Sequence, residues 1–287
     1  MLSSSFKTIR AGQTLLDLSS PKIMGIVNVT PDSFYDGGKY SNSDKALEHA
    51  TKLLSEGADI LDIGAYSSRP NAKYVSEDEE LARLIPFIVR LKELHPTSII
   101  SVDTFRAKVA AEAIVNGAHI INDISGGSLD EEMFATAGRL QVPYILMHMR
   151  GNPQTMQSLT DYDDLISDIS DYFAERIPKL RRHGVHDIIL DPGPGFAKTI
   201  EQNYELIGRF KELKGFRLPL LGAVSRKSMI YNALNVSAND ALSGTIVLNT
   251  VLLLQSANIL RVHDVKEAKE TIRLIGLLKQ QKQLLNL

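Results

Sequence analysis

Eight short apolar runs, each followed by a stretch of helical periodicity, constrain the fold of this 287-residue chain more than any other feature. They lie at 23–27, 59–63, 98–102, 119–121, 144–147, 187–190, 220–224 and 259–262. Most are rich in β-branched residues, and they read as continuous apolar segments, the pattern of a strand covered on both faces. Between them, Leu81, Leu84, Ile85 and Ile88 fall on one helical face, as do Leu165, Ile166, Ile169, Tyr172, Phe173 and Ile177. Ser76-x-x-Glu79 reads as a capping box, and Asp264 as the N-cap of the last helix. Gly57 and Gly117 sit where the second and fourth strands are entered from a helix C-terminus. Pro86 and Pro178 fall inside helical patterns, which predicts kinks or later helix starts there.

No linker, low-complexity tract or composition shift interrupts the alternation. It predicts an α/β protein, a single (β/α)8 TIM barrel spanning 1–287, since such barrels run to about 250 residues as one domain. Residues 1–20 precede the first barrel strand as an extension, and 6–20 are expected to form a hairpin over the barrel bottom. A doubly wound open sheet is the alternative, but no Gly-x-Gly-x-x-Gly follows the first strand. The run Gly193-Pro194-Gly195-Phe196-Ala197-Lys198-Thr199 superficially suggests a phosphate loop. It is too short, and Ala197 stands where that motif needs Gly.

Composition narrows the partners. A formal net charge of −2 provides no global basic field for nucleic acid. The absence of cysteine excludes disulfides and thiolate metal sites, and suits a reducing compartment. Met1–Lys7 lacks the basic-then-apolar order of a signal peptide, and the apolar stretch 245–254 is too short to span a bilayer. The expectation is a cytoplasmic protein that binds neither membrane nor nucleic acid.

A barrel places chemistry at the C-terminal ends of its strands and in the loops that follow. Asn28 ends the first strand, Asp62 the second (with Arg69 in the next loop) and Asp103 the third. Asn122 and Asp123 end the fourth, His148 the fifth and Asp191 the sixth. Ser225, Arg226 and Lys227 follow the seventh; Arg261 and His263 bracket the end of the eighth. One such residue is accounted for by a helix cap or a loop hydrogen bond; a full ring is not. The ring mixes carboxylates at 103 and 191 with cations at 69, 227, 261 and 263, which fits a substrate with a polar heterocycle and an anionic tail. No His-Glu-x-x-His or similar ligand spacing occurs, yet a Mg²⁺ held mostly by substrate phosphates needs only one or two protein oxygens. No Ser-His-Asp order points to covalent catalysis.

These segments resemble the dihydropteroate synthase family. Met24 to Phe34, with Asp36-Gly37-Gly38 behind it, resembles the first family signature, and Asp62-Ile63-Gly64 with Ser67-Ser68-Arg69-Pro70 the second. Ser101–Thr104, Ile121–Gly127, Leu146–Met149, Leu190–Gly193, Ser225–Ser228 and Arg261–Asp264 follow in family order. The resemblance runs from about residue 22 to the C-terminus. It implies a Mg²⁺-using, usually homodimeric sulfonamide target that joins p-aminobenzoate to 6-hydroxymethyl-7,8-dihydropterin diphosphate in folate synthesis. The alternatives are a pterin-dependent methyltransferase, which needs no diphosphate anchors, and a non-catalytic pterin-binding paralogue, which would have lost them.

Each residue can be given a physical role beside that resemblance. Asp191 can accept two parallel hydrogen bonds from the pterin edge, and Asp103 supports the ring. Asn122 can read a mixed donor and acceptor edge. Lys227 can donate to ring acceptors, and Arg261 can lie against the heterocycle with its charge towards the phosphates. Met147, Ile124 and Phe196 would wall the site, although Met147 and Ile124 also fit plain core packing. Diphosphate falls to Asn28, Arg69, Arg261 and His263, with Asn28 also meeting Mg²⁺. Phe34, Ser68, Pro70, Phe196, Lys227 and Ser228 are expected around p-aminobenzoate, the hydroxyl of Ser228 holding its carboxylate or simply capping a helix. Asp103, Lys227 and Asp36 are the expected catalytic groups, Asp36 acting only once the pterin diphosphate is bound. Loops 29–38 and 64–75 would close over the substrates. The second loop departs from the common Gly-Glu-Ser-Thr-Arg-Pro-Gly, having Ala65-Tyr66-Ser67-Ser68-Arg69-Pro70-Asn71, which bears on loop geometry and sulfonamide affinity. The apolar helix at 241–254 could face a dimer partner or the barrel.

Overall fold

A computed structural model describes residues 8–29, 42–66, 74–152 and 154–280. Two short strands, β1 (Thr8–Ala11) and β2 (Thr14–Asp17), pair antiparallel. Eight parallel strands then alternate with helices. They are β3 (Lys22–Asn28), β4 (Ile60–Gly64), β5 (Ile100–Asp103), β6 (Ile120–Asp123), β7 (Tyr144–Met147), β8 (Ile188–Asp191), β9 (Leu221–Gly222) and β10 (Ile259–Val262). The first five intervening helices are α1 (Asn42–Glu56), α2 (Glu77–Leu94), α3 (Ala107–Val115), α4 (Met133–Leu140) and α5 (Leu165–Arg182). There follow α6 (Ile200–Gly208), α7 (Ser228–Leu234), α8 (Leu242–Leu254) and α9 (Val265–Gln280). Hydrogen bonds order the strands β8-β7-β6-β5-β4-β3-β10-β9, and a parallel bridge from Leu190 to Leu220 joins the two ends. The ring is the expected (β/α)8 barrel rather than the open sheet.

Several strands begin one or two residues later than the apolar runs suggest, because their first polar residues serve as fasteners. Asp59 accepts the Ile23 amide at 2.9 Å, the Ser98 hydroxyl donates to His95 O at 2.8 Å, and His119 Nδ1 accepts the Ile100 amide at 3.1 Å. The run at 220–224 contributes only two ladder residues, although Leu220 to Val224 includes Leu220, Leu221, Ala223 and Val224 as buried side chains.

The pleat divides each strand between two cores. Ile23, Leu61, Ile63, Val102, Ile121, Tyr144, Leu146, Ile188, Leu190, Leu260 and Val262 point outwards into the layer shared with the helices. Met24, Ile60, Ile120, Ile145, Ile189, Leu221 and Ile259 point inwards at the bottom of the barrel. There they meet Ile9, Ala11, Leu16 and Leu18, so the hairpin plugs the bottom as expected. Burying Ile9, Leu16 and Leu18 contributes about 1.5–3 kcal/mol each, which a lone two-stranded hairpin could not supply from its own ladder.

Gly57 (φ 102°) and Gly117 (φ 113°) end α1 and α3 in the left-handed region, with paired bonds such as Ala58 N to Leu53 O and Gly57 N to Leu54 O, both 3.0 Å. Pro86 and Pro178 do not delay their helices: α2 and α5 run through them. Both prolines and the residues one turn earlier, Ala82 and Ala174, face solvent, so water can satisfy the carbonyls they leave without a donor. Ser76 accepts the Glu79 amide at 3.2 Å, but the Glu79 carboxylate turns to Arg83, so only half of the expected capping box forms. The box that forms with both halves is Thr199 with Gln202, opening α6.

Candidate active site

The inward side of the pleat becomes polar towards the C-terminal ends of the strands. Two residues beyond inward Ile60 comes Asp62, beyond Ile120 comes Asn122, beyond Ile189 comes Asp191 and beyond Ile259 comes Arg261. They converge. Arg261 Nε donates to Asp62 Oδ2 and its Nη2 to Asp103 Oδ2, both at 2.6 Å. Asn122 Nδ2 donates to the same Asp62 oxygen at 2.9 Å. Asp62 is completely buried, and among the described residues nothing hydrogen-bonds to its Oδ1. The expected diphosphate cation Arg261 is therefore held as the hub of a carboxylate cluster.

Asp191 Oδ1 accepts the Gly193 amide at 2.8 Å. The Lys227 ammonium donates to the Pro194 carbonyl and lies 4.8 Å from the centre of the Phe196 ring. Ile124, Met147, Met149, Met156 and Ala197 form a separate apolar cluster here, with Phe105 and Phe196 packed against it. The expected wall residues Ile124, Met147 and Phe196 thus belong to one patch, distinct from both barrel cores.

Low solvation sets the charges. Burial pushes the Asp103 carboxyl up to about 7, against the pull of Arg261 and helped by neighbouring Asp62. Burial also raises Asp191, with Lys227 opposing. Burial brings Lys227 down to about 8 although Asp191 favours its charged form. Burial works against the Arg261 cation, but Asp62 and Asp103 more than offset it and hold its pKa above the usual guanidinium range. The result is a set of acids and bases whose charges respond readily to a bound polar molecule.

Not every strand-end polar residue joins this set. Asp123 and His148 occupy the outward side of the pleat. Asp123 accepts from the Ser125 amide and hydroxyl (2.7 Å each), the Gly127 amide (2.8 Å) and the Tyr144 hydroxyl (2.5 Å). It fastens the turn that carries Ile124. His148 is 1% exposed, lies edge-on to Tyr172 and has Nδ1 3.0 Å from Lys198 Nζ. Burial, and then Lys198, hold its pKa well below the usual imidazole value. Arg226 turns away to chelate Asp264 with bonds of 2.9 and 2.7 Å, so both oxygens of the expected N-cap Asp264 accept from an arginine. Ser225 Oγ lies 3.0 Å from His263 Nδ1 and accepts the His263 amide at 3.1 Å, which orients that ring at the end of β10. Asn28 ends β3 half-buried beside Gly64. Ser228 is exposed and opens the seven-residue α7. Phe34, Asp36, Ser68, Arg69 and Pro70 lie outside the described residues, as do most of the two loops expected to close.

Two residues were not anticipated in these roles. Asp62 was visible as a member of the strand-end ring and of the second signature, but its part as hub acceptor needed the pleat register. Lys198, buried and brought down to about 7 chiefly by its burial, gave no signal beyond a glycine-rich run that failed as a phosphate loop.

The model of the family described as pterin binding enzyme matches residues 24–263. A dihydropteroate synthase of Escherichia coli K12 is 44% identical over 265 residues, covering 91% of this chain and 93% of that one. This chain belongs to the dihydropteroate synthase family. A Yersinia pestis dihydropteroate synthase solved with a sulfonamide drug superposes with a TM-score of 0.89 at 42% identity, covering 95% of this chain and 99% of that one. The Xanthomonas albilineans dihydropteroate synthase in complex with 7,8-dihydropteroate gives a TM-score of 0.86 at 32% identity, covering 95% and 98%. Where the dihydropteroate synthase pattern commonly has an acid, Tyr66 packs edge-on to Phe105 at 5.1 Å, with the Arg106 guanidinium 5.6 Å from its ring centre. The charge of that arginine is met by buried Glu80. No described helix is long and apolar enough to cross a membrane.

Proposed function

We propose that this chain condenses 6-hydroxymethyl-7,8-dihydropterin diphosphate with p-aminobenzoate, forming 7,8-dihydropteroate and diphosphate in folate synthesis. The observation that carries the reading is the convergence of Asp103, Asn122, Asp191, Lys227 and Arg261 above one apolar patch, in a dihydropteroate synthase chain. In this reading Asp191 and Asn122 take the pterin edge, and Ile124 and Met147 take its face. Lys227 donates to a ring acceptor. Arg261, oriented by Asp62 and Asp103, lies against the heterocycle and faces the diphosphate with Asn28, Arg69 and His263. Phe34, Ser68, Pro70, Phe196, Lys227 and Ser228 surround the arylamine, where a sulfonamide would compete.

The path is dissociative. The C–O bond breaks first and its electron pair leaves with diphosphate. Asp103, close to the positive charge left on the pterin methylene, stabilises it. The amine lone pair then forms the C–N bond and one amine proton is released, with Asp36 closing over the bound substrates.

Among the described residues no three His, Cys, Asp or Glu side chains come together to hold a metal. The lone amide oxygen of Asn28 at the mouth fits a Mg²⁺ ligated otherwise by diphosphate and water. Bound there, Mg²⁺ would neutralise charge on the diphosphate. The enzyme would act in the cytoplasm as one domain and as a homodimer, with Val247 and Leu254 of α8 and Leu234 of α7 exposed for a partner.

Purified protein given dihydropterin diphosphate, p-aminobenzoate and Mg²⁺ should release diphosphate only when the arylamine is present. Absence of release from folded protein would overturn the reading. Turnover of Asp103→Asn near that of the unmodified enzyme would remove Asp103 from its charge-stabilising role.

A further inference from the structure

The loop between β8 and α6 carries two groups assigned to the site, the Phe196 ring and the Pro194 carbonyl that receives Lys227. It has no ladder to fix it. Gly193 (φ 66°), Gly195 (φ 85°) and Ala197 (φ 49°) are all left-handed, so the loop doubles back and turns several carbonyls to one side. On that side lies the ammonium of Lys198, a residue only 8% exposed. Its Nζ is 3.0 Å from each of Gly193 O, Phe196 O and His148 Nδ1. An ammonium has three protons and here has three acceptors. Two lie on the loop and the third is on the histidine that follows β7. The loop is pressed onto that strand end so closely that a Cβ on Gly193 would stand 2.2 Å from His148 O. The Tyr162 hydroxyl adds a bond to Ala197 O at 2.8 Å, and Asn203 Oδ1 accepts the Gly195 amide at 2.5 Å.

We infer that Lys198 is a positioning residue for the arylamine subsite. By tying the loop after β8 to the end of β7 from beneath, it sets where the Phe196 ring stands over the apolar patch. All three of its hydrogen-bond partners are protein groups, so it acts through Phe196 and not on the reacting atoms. A lysine is suited to the task because a single compact cation can bind two carbonyls and an imidazole that approach from different directions. The inference rests on the assignment of Phe196 to the arylamine, and the experiment separates the two.

Three variants, Lys198→Met, Phe196→Leu and the double variant, would be compared in steady-state assays with Mg²⁺ and saturating dihydropterin diphosphate. The Kd for the pterin diphosphate would be measured by titration without arylamine. Phe196→Leu is expected to raise the p-aminobenzoate KM about tenfold, and Lys198→Met by a similar factor, with the pterin diphosphate Kd within twofold. The double variant should be no more than about twofold worse than Phe196→Leu alone, because the lysine then has no ring to position. A near-hundredfold rise in the double variant, an unchanged KM in Lys198→Met, or an equal loss of pterin affinity would overturn the inference. An unchanged KM in Phe196→Leu would instead refute the assignment of the ring, and the inference with it. If Lys198→Met does not fold, Tyr162→Phe removes only the bond to Ala197 O. It is expected to raise the arylamine KM about threefold, and not further when combined with Phe196→Leu; no change would overturn the inference.

Discussion

Replacing Arg261 by Met removes the cation that Asp62 and Asp103 share at the centre of the barrel mouth. Methionine keeps most of the apolar stem, so the loss is chiefly electrostatic. Asp62 is fully buried and is left with Asn122 as the donor to Oδ2, while its Oδ1 already has no partner among the described residues. Stranding one charge of a buried pair costs about 3–5 kcal/mol. The Asp103 side chain keeps 23% of its exposure, so solvent screens its share and the total stays near the lower end, about 3–4 kcal/mol. The sign with pH follows. A stranded buried carboxylate takes up a proton where an aspartate of the unfolded chain is ionised. The folded variant then binds more protons than the unfolded one, and its deficit shrinks as pH falls. The recovery is about 1.4 kcal/mol for each pH unit over which one such proton is held. Adding Asp62→Asn removes the stranded charge and should restore about 2 kcal/mol of the loss. Urea unfolding of the three proteins at pH 7.5 and pH 5.0 provides the measurement. A deficit below about 1 kcal/mol at pH 7.5, a deficit equal at the two pH values, or an Asp62→Asn change that adds its own cost would refute the hub.

Three further outcomes are expected. Tyr144→Phe removes one of four donors to buried Asp123 and should cost about 1.5–3 kcal/mol in urea unfolding; a loss under about 0.5 kcal/mol would show that the other three suffice. Ser256, two residues past α8, has φ 73°, a conformation that costs a non-glycine residue energy, so Ser256→Gly should stabilise by about 0.5–1 kcal/mol and raise Tm by about 1–3 °C, whereas a lower Tm would contradict it. His148 has its pKa lowered by burial and then by Lys198 and Arg150, with Arg176 beyond them. Its contribution to stability is therefore present above pH 6.5 and lost as pH falls below that value. His148→Gln should flatten the acid loss by up to about 1.4 kcal/mol per pH unit, and parallel stability curves for the two proteins between pH 7.5 and 5.0 would contradict the burial argument.

The barrel was legible because its signal is repeated. Eight apolar runs at regular spacing survive errors of one or two residues in any single strand, as at 98–102, where the ladder starts only at Ile100. Gly57 and Gly117 were legible because helix ends of that kind demand a left-handed residue. The two prolines misled about where their helices start, because proline chemistry alone does not say whether the orphaned carbonyl faces solvent. Asp264 stands directly before α9, where the sequence puts it, but its pairing with Arg226, 38 residues away in sequence, was out of reach of a local pattern.

The strand-end ring shows where more could have been read. The ring gathers every polar residue at a strand end, yet the pleat sorts them by parity. Counting in twos from the inward isoleucine of five strands reaches Asp62 from Ile60, Asn122 from Ile120, Met147 from Ile145, Asp191 from Ile189, and Arg261 then His263 from Ile259. Asp123 and His148 fall on odd steps and lie among the helices. The parity can be fixed only once the inward residues are known, and these are isoleucines and leucines on both sides of the strand. What distinguishes them is the hairpin: Ile9 and Leu16 bury against one set and not the other. The plug at the bottom of the barrel thus identifies the face on which the chemistry at the top must stand.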